Sequence, residues 1–220
     1  MKKVPKEVFE QTSSASPTSI GQQFAADVIK RNKQAIFSLR DIHSAFTTAT
    51  IVPDETGPSL RGALISCSSD LRAPICSVRL DNAPGLVTLK NDPLLRSLGI
   101  ALDLGRVKNI NRNPCAEKCN QELELELLRV DSSGAPITDV TLQMAVRALN
   151  SRIRNRGLSA KEIVTCRDQL TNAHLKIDDQ ALSQRQEQLR EQNHPSSSSS
   201  ECFTCNRTSC HSRLLSLPQS

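Results

Sequence analysis

With 220 residues, 28 Lys and Arg against 23 Asp and Glu, no Trp, no Tyr and five Phe, the chain has the size of one ordinary domain with tails. Its core must be aliphatic, and the shortage of aromatics argues against single-strand binders that stack bases on aromatic platforms. No apolar run reaches the roughly 18 residues of a membrane span, and the N-terminal stretch lacks the apolar segment of a secretory signal.

Residues 1–20 are polar and Ser/Thr/Pro-rich, and are expected to form a disordered lead-in. From Gly21 the composition changes. QQFAADVIK, QAIFSLRDI and AFTTATIV are three short β-branched or aliphatic runs with very short separators, the spacing of an antiparallel meander. SLRGALISCSSDL then shows apolar residues at Leu60, Ala63, Leu64, Cys67 and Leu71, a helical period. SVRLDNA reads as a fourth strand, DPLLRSLG as a short helix ended by Gly99, and IALDLG as a fifth strand. A strand, helix, strand crossover implies parallel pairing.

Asn113-Pro114 is expected to cap and open a long helix, PCAEKCNQELELELLRV, with an apolar stripe at Ala116, Cys119, Leu123, Leu127 and Val130. A second helix is expected from about Thr138 to Arg154, and a third from Ser159 with Glu162 at capping-box spacing. Together these predict an α/β domain over 21–170, one five-stranded mixed sheet flanked by helices. Residues 171–195 read as a charged helical arm and 196–220, with five consecutive serines, as a disordered tail. Eight cysteines without a signal sequence predict reduced thiols in the nucleus or cytoplasm.

Three carboxylates stand in distinctive contexts. Asp27 lies mid-strand in FAADVI, Asp81 ends the fourth strand in VRLDNAPG, and Glu117 lies one turn into the long helix in NPCAEK. A charge amid apolar strand residues is costly unless a cation or a turn compensates it. For Asp81, followed by Asn-Ala-Pro-Gly, a turn role is the simpler alternative. Thirty-five residues separate Asp81 from Glu117. If the first and fourth strands pair and the long helix packs across them, the three acids meet at one sheet edge. There they could hold Mg²⁺ or Mn²⁺ for in-line phosphoryl displacement.

These contexts, together with LRDIHSAFTTATIVPDE, LKNDPLLRSLGI, LGRVKNINRNPCAEK and ALNSRIRNRGLSAKEI, resemble the integrase catalytic core of long-terminal-repeat retrotransposon polyproteins of the Gypsy or Bel-Pao kind. The resemblance covers roughly residues 5–195. It implies an RNase H-like fold, DNA end processing and strand transfer, homo-oligomerisation, and Asp27, Asp81 and Glu117 as catalytic metal ligands. It also implies a zinc module before the core and a small β-barrel after it. Neither pattern occurs here, so a polyprotein fragment is expected. A second reading is a catalytically inactive, transposon-derived DNA-binding or oligomerisation module.

Lys108, Arg112, Lys118, Arg147, Arg152, Arg154 and Arg156 are the candidate phosphate contacts on such a domain, although a solvated basic face is the plain alternative. Glu122, Glu124 and Glu126 read as an acidic stripe. His43, His174, His194 and His211 have no partner at metal or triad spacing and are expected on the surface. Cys115 and Cys119 read as core thiols. Cys202, Cys205, Cys210 and His211 do not follow zinc-knuckle order, so zinc is not expected.

Overall fold

The computed structural model describes residues 19–71, 77–104, 113–154 and 157–193. The lead-in before residue 19, the serine-rich tail, and Lys108, Arg112 and Arg156 lie outside the described residues.

Five strands form one mixed sheet: β1 (Gln23–Arg31), β2 (Gln34–Asp41), β3 (Thr47–Val52), β4 (Ser77–Leu80) and β5 (Ala101–Leu104), in the spatial order β3-β2-β1-β4-β5. β1, β2 and β3 pair antiparallel as the short separators require. The β1–β2 turn places Asn32 and Lys33 at φ 47° and 65°, the left-handed pair of a two-residue hairpin. β4 then pairs parallel with β1, and β5 parallel with β4. The fold is therefore the expected α/β architecture of RNase H-like type.

Strand alternation sorts the core into two layers. Phe24, Ala26, Phe37, Leu39, Val78 and Leu80 point to one face, where α1 (Gly57–Ser69) buries Leu60, Ala63, Leu64 and Cys67 against them. Burial with no compensating charge pushes the Cys67 thiol up to about 11, so it acts as a small apolar filler. Between β4 and β5 the chain makes α2 (Pro84–Val87), a single 3₁₀ turn over Thr88–Asn91 and α3 (Pro93–Ser97). The sequence pattern revealed only the last, because four-residue turns carry no periodicity. Asp92 caps α3 by accepting from the backbone of Leu94 and Leu95.

Ile29, Ile36 and Ala49 face the opposite layer, against α4 (Pro114–Val130) and α5 (Asp139–Ser151). The α4 stripe packs as its period predicts: Ala116, Cys119, Leu123 and Leu127 are buried, with Val130 at the margin. α5 ends at Ser151, three residues before the expected Arg154, because Arg152 is extended at φ −67°, ψ 125°. α6 (Ala160–Thr165) starts on the expected capping box of Ser159 and Glu162.

Two expectations need correction. Asn113 precedes α4, but its side chain makes no cap; it reaches back across the sheet instead. His43 is fully buried rather than on the surface. It sits in the β2–β3 turn, where Ser183 and Asp179 of α7 (Asp179–Asn193) meet its two ring nitrogens at 3.4 and 3.8 Å. Next to it, Asp41 accepts from Ser44 and Gly21, which turns the chain tightly enough to enclose the imidazole.

Candidate active site

The sheet brings Asp27 and Asp81 to neighbouring positions. The β1–β4 ladder pairs Ala26 with Leu80, and an aspartate follows each: Asp27 within β1 and Asp81 just past the end of β4. Ala26 belongs to the α1 layer, and alternation therefore turns Asp27 to the face that α4 covers, where it meets Asn120. β4 stops at Leu80 while β1 continues to Arg31, so the two acids mark the point where the sheet opens. α4 lies over that point and presents Glu117 in its first turn.

The charges of the other two acids are felt at Asp27. Burial raises the Asp27 pKa; hydrogen bonds from the Val28 amide and Asn120 lower it, and the negative charges of Asp81 and Glu117 raise it again. The net direction is upward. Asp27 Oδ1 accepts from the Val28 backbone N–H and its Oδ2 from Asn120 Nδ2, both at 2.8 Å. Asp81 Oδ1 accepts from the Asn82 amide at 2.8 Å, the same contact to the following backbone N–H that Asp27 makes with Val28. Glu117 is exposed.

Asn120 was not singled out by sequence reasoning. It stands one turn beyond Glu117 on α4, so helical period places the two on one side of the helix, and the packing of α4 on the sheet brings Asn120 to β1. Its Oδ1 accepts from Ser38 Oγ at 3.0 Å, and Ser38 is the direct cross-strand partner of Asp27. The chain Ser38, Asn120, Asp27 thus runs from β2 through α4 back to β1.

Can these residues hold a metal? Three hard carboxylate oxygens from separate elements are the donor chemistry of a Mg²⁺ or Mn²⁺ site, and their mutual repulsion is what a cation would relieve. Among the described residues, however, no group of three His, Cys, Asp or Glu side chains is closed into a ready cage. The donors fit the ion in kind; their side chains are held apart, with Asp27 turned onto Asn120.

The basic residues divide sharply. Arg152 pairs with Glu126, which also accepts from Arg129 at 2.7 Å. Arg154 pairs with Glu122 at 3.3 Å, and Glu122 accepts from the buried Arg40 at 2.6 Å. Two carboxylates of the expected acidic stripe therefore turn inward, while Glu124 remains exposed. Burial opposes ionisation of Glu122, yet Arg40 and Arg154 hold its carboxyl below the ordinary range. Lys118 and Arg147 are exposed.

No protein-family model matches the chain, and no curated protein matches it. Among solved structures it is similar to the catalytic core domain of BIV integrase, at 20% identity and a TM-score of 0.56 over 66% of this chain and 94% of that one. It is also similar to a chain of the simian T-cell lymphotropic virus intasome in complex with PP2A regulatory subunit B56 gamma, at 15% identity and a TM-score of 0.62, covering 74% of this chain and 60% of that one. These likenesses establish an integrase-like fold.

Proposed function

We propose that this chain is the catalytic core of a DNA-integrating polynucleotidyl transferase, derived from a long-terminal-repeat retrotransposon. The observation that carries the reading is the placement of Asp27, in the middle of β1, beside Asp81, just past the end of the parallel strand β4, with the charges of Asp81 and Glu117 both felt at Asp27. The integrase-like fold supports it.

In this reading Asp27, Asp81 and, from α4, Glu117 would hold a hard divalent cation. Such a cation, when bound, supplies Lewis acidity at the scissile phosphate and lowers the pKa of the attacking hydroxyl. The chain's own part is to aim the carboxylates and to exchange the Asp27–Asn120 hydrogen bond for ligation. In end processing water attacks the phosphorus and the strand's 3′-oxygen leaves; in strand transfer a DNA 3′-hydroxyl attacks a phosphorus of the target strand, and that strand's own 3′-oxygen leaves as a hydroxyl. Exposed Lys118 and Arg147 contribute phosphate contacts. Joining two DNA ends calls for more than one copy of the chain.

The test is a nicking and disintegration assay of the purified chain on duplex and branched DNA, with Mg²⁺, Mn²⁺ or chelator. Metal-dependent cleavage that Asp27→Asn, Asp81→Asn and Glu117→Gln each abolish is the expected result. One observation favours a second reading, an inactive DNA-binding module: the acids are not closed into a cage. Salt-sensitive DNA binding with no cleavage in either metal would select it.

A further inference from the structure

Asn113 makes contacts that its position before a helix does not require. It is 3% exposed and sits between the sheet and the start of α4. Its Nδ2 donates to Ala26 O and to Arg79 O, both at 3.2 Å. Its backbone O accepts from the Glu117 amide at 3.0 Å, the first turn of α4. Ala26 immediately precedes Asp27, and Arg79 lies two residues before Asp81. One residue is thus bonded to the backbone of all three segments that carry the acids.

The chemistry explains why an amide stands there. Ala26 and Arg79 belong to the last paired residues of the parallel ladder, and each backbone carbonyl has a second lone pair that can take a donor from outside the sheet. An amide NH₂ has two donors, one for each strand. The remaining atom, Asn113 Oδ1, is buried with no partner among the described residues. Asn113 therefore tolerates a buried orphan acceptor in order to bridge β1 and β4, which an ordinary N-cap does not do.

We infer that Asn113 is a positioning residue that clips β1, β4 and α4 in register, so that Asp27, Asp81 and Glu117 converge on one ion. This rests on the reading of those three acids as the active groups. Parallel strands of four paired residues with a helix resting on their ends can slip or splay. The clip opposes both movements at the point where β4 stops.

The test compares the parent with Asn113→Ala, Asn113→Asp and the control Thr138→Ala, which removes the side-chain cap of α5 away from the acids. Asn113→Asp keeps the shape but replaces both donors with acceptors. Amide hydrogen exchange on the metal-free full chain is the first readout. Both Asn113 variants should exchange about tenfold faster in β4 and the first turn of α4, with β2 and β3 unchanged. Thr138→Ala should leave those segments at parent rates. The second readout is the Mn²⁺ concentration giving half-maximal nicking, which should rise about tenfold or more for both Asn113 variants and not for Thr138→Ala.

Unchanged exchange in β4 and α4 overturns the clip. Selective opening with an unchanged metal requirement overturns the positioning role and leaves a structural one. A parent that nicks with neither metal sinks the integrase reading instead, and the exchange measurement still decides the clip.

Discussion

Asn120 Nδ2 donates to Asp27 Oδ2 at 2.8 Å, so the carboxylate closest to the sheet centre is held by an amide from the same helix that carries Glu117. The bond favours the ionised form of Asp27 against its burial and its acidic neighbours. Asn120→Ala should move the Asp27 midpoint further above its ordinary value of 3.8, as read by a carboxyl-carbon NMR titration. A midpoint equal to the parent's would show that the amide contributes nothing electrostatically.

The same shift sets a pH dependence. The folded-state pKa of Asp27 is raised, so its contribution to stability is complete below the unfolded value and is lost as pH rises through the folded one. Asp27→Asn removes that loss. Without metal the variant should gain on the parent in urea melts as pH is taken from 4 to 7. A difference that stays constant with pH contradicts the raised pKa.

Arg40 is 2% exposed and shares Glu122 with Arg154. Arg40→Ala leaves a half-buried carboxylate with one cation fewer and should cost about 3–5 kcal/mol in denaturant unfolding. Arg40→Met with Glu122→Leu, which removes both charges, should recover much of that loss. Glu122 is held below its ordinary pKa, so the stability it contributes is present above the unfolded value and is lost as pH falls through the folded one. Failure of the double variant to recover would mean that Arg40 acts through packing.

Metal should stabilise only a chain whose acids can converge. Mg²⁺ is expected to raise the melting temperature of the parent more than that of Asp81→Asn, and chelator should abolish the difference. Glu124→Gln, at an exposed α4 carboxylate, is the matched control. Identical responses of Asp81→Asn and the parent would leave Asp81 with its contact to the Asn82 amide alone.

Basic residues should separate by salt dependence. Lys118→Ala and Arg147→Ala should each lower the slope of log affinity for random duplex against log salt by nearly one. Arg152→Ala and Arg154→Ala should instead lower the melting temperature, because their guanidiniums are paired with Glu126 and Glu122. Slopes for Lys118→Ala and Arg147→Ala equal to the parent's would return both residues to an ordinary solvated face.

Local pattern was sufficient for much of this molecule. The apolar stripe of α4, the capping box at Ser159, the short separators of the meander and the strand, helix, strand crossover all depend on residues a few positions apart. Their physics is local: helical period, hydrogen bonding of neighbouring backbone, and the two-residue hairpin. That order predicts the parallel pairing of β4 with β5, whereas the pairing of β1 with β4, and with it the neighbouring positions of Asp27 and Asp81, is seen only in the folded sheet.

Other features exist only once the chain is folded. Asn120 meets Asp27 across 93 residues, Arg40 meets Glu122 across 82, and Asn113 reaches Ala26 across 87. His43 is enclosed by Ser183, 140 residues away. In sequence these are an ordinary amide, an acidic stripe, a helix cap and a surface histidine. Their roles are decided by desolvation: once packing removes water, each buried polar group must find a partner among whatever the fold has brought beside it. Residue spacing encodes the elements, but the partners of the buried charges and amides are set by how those elements meet.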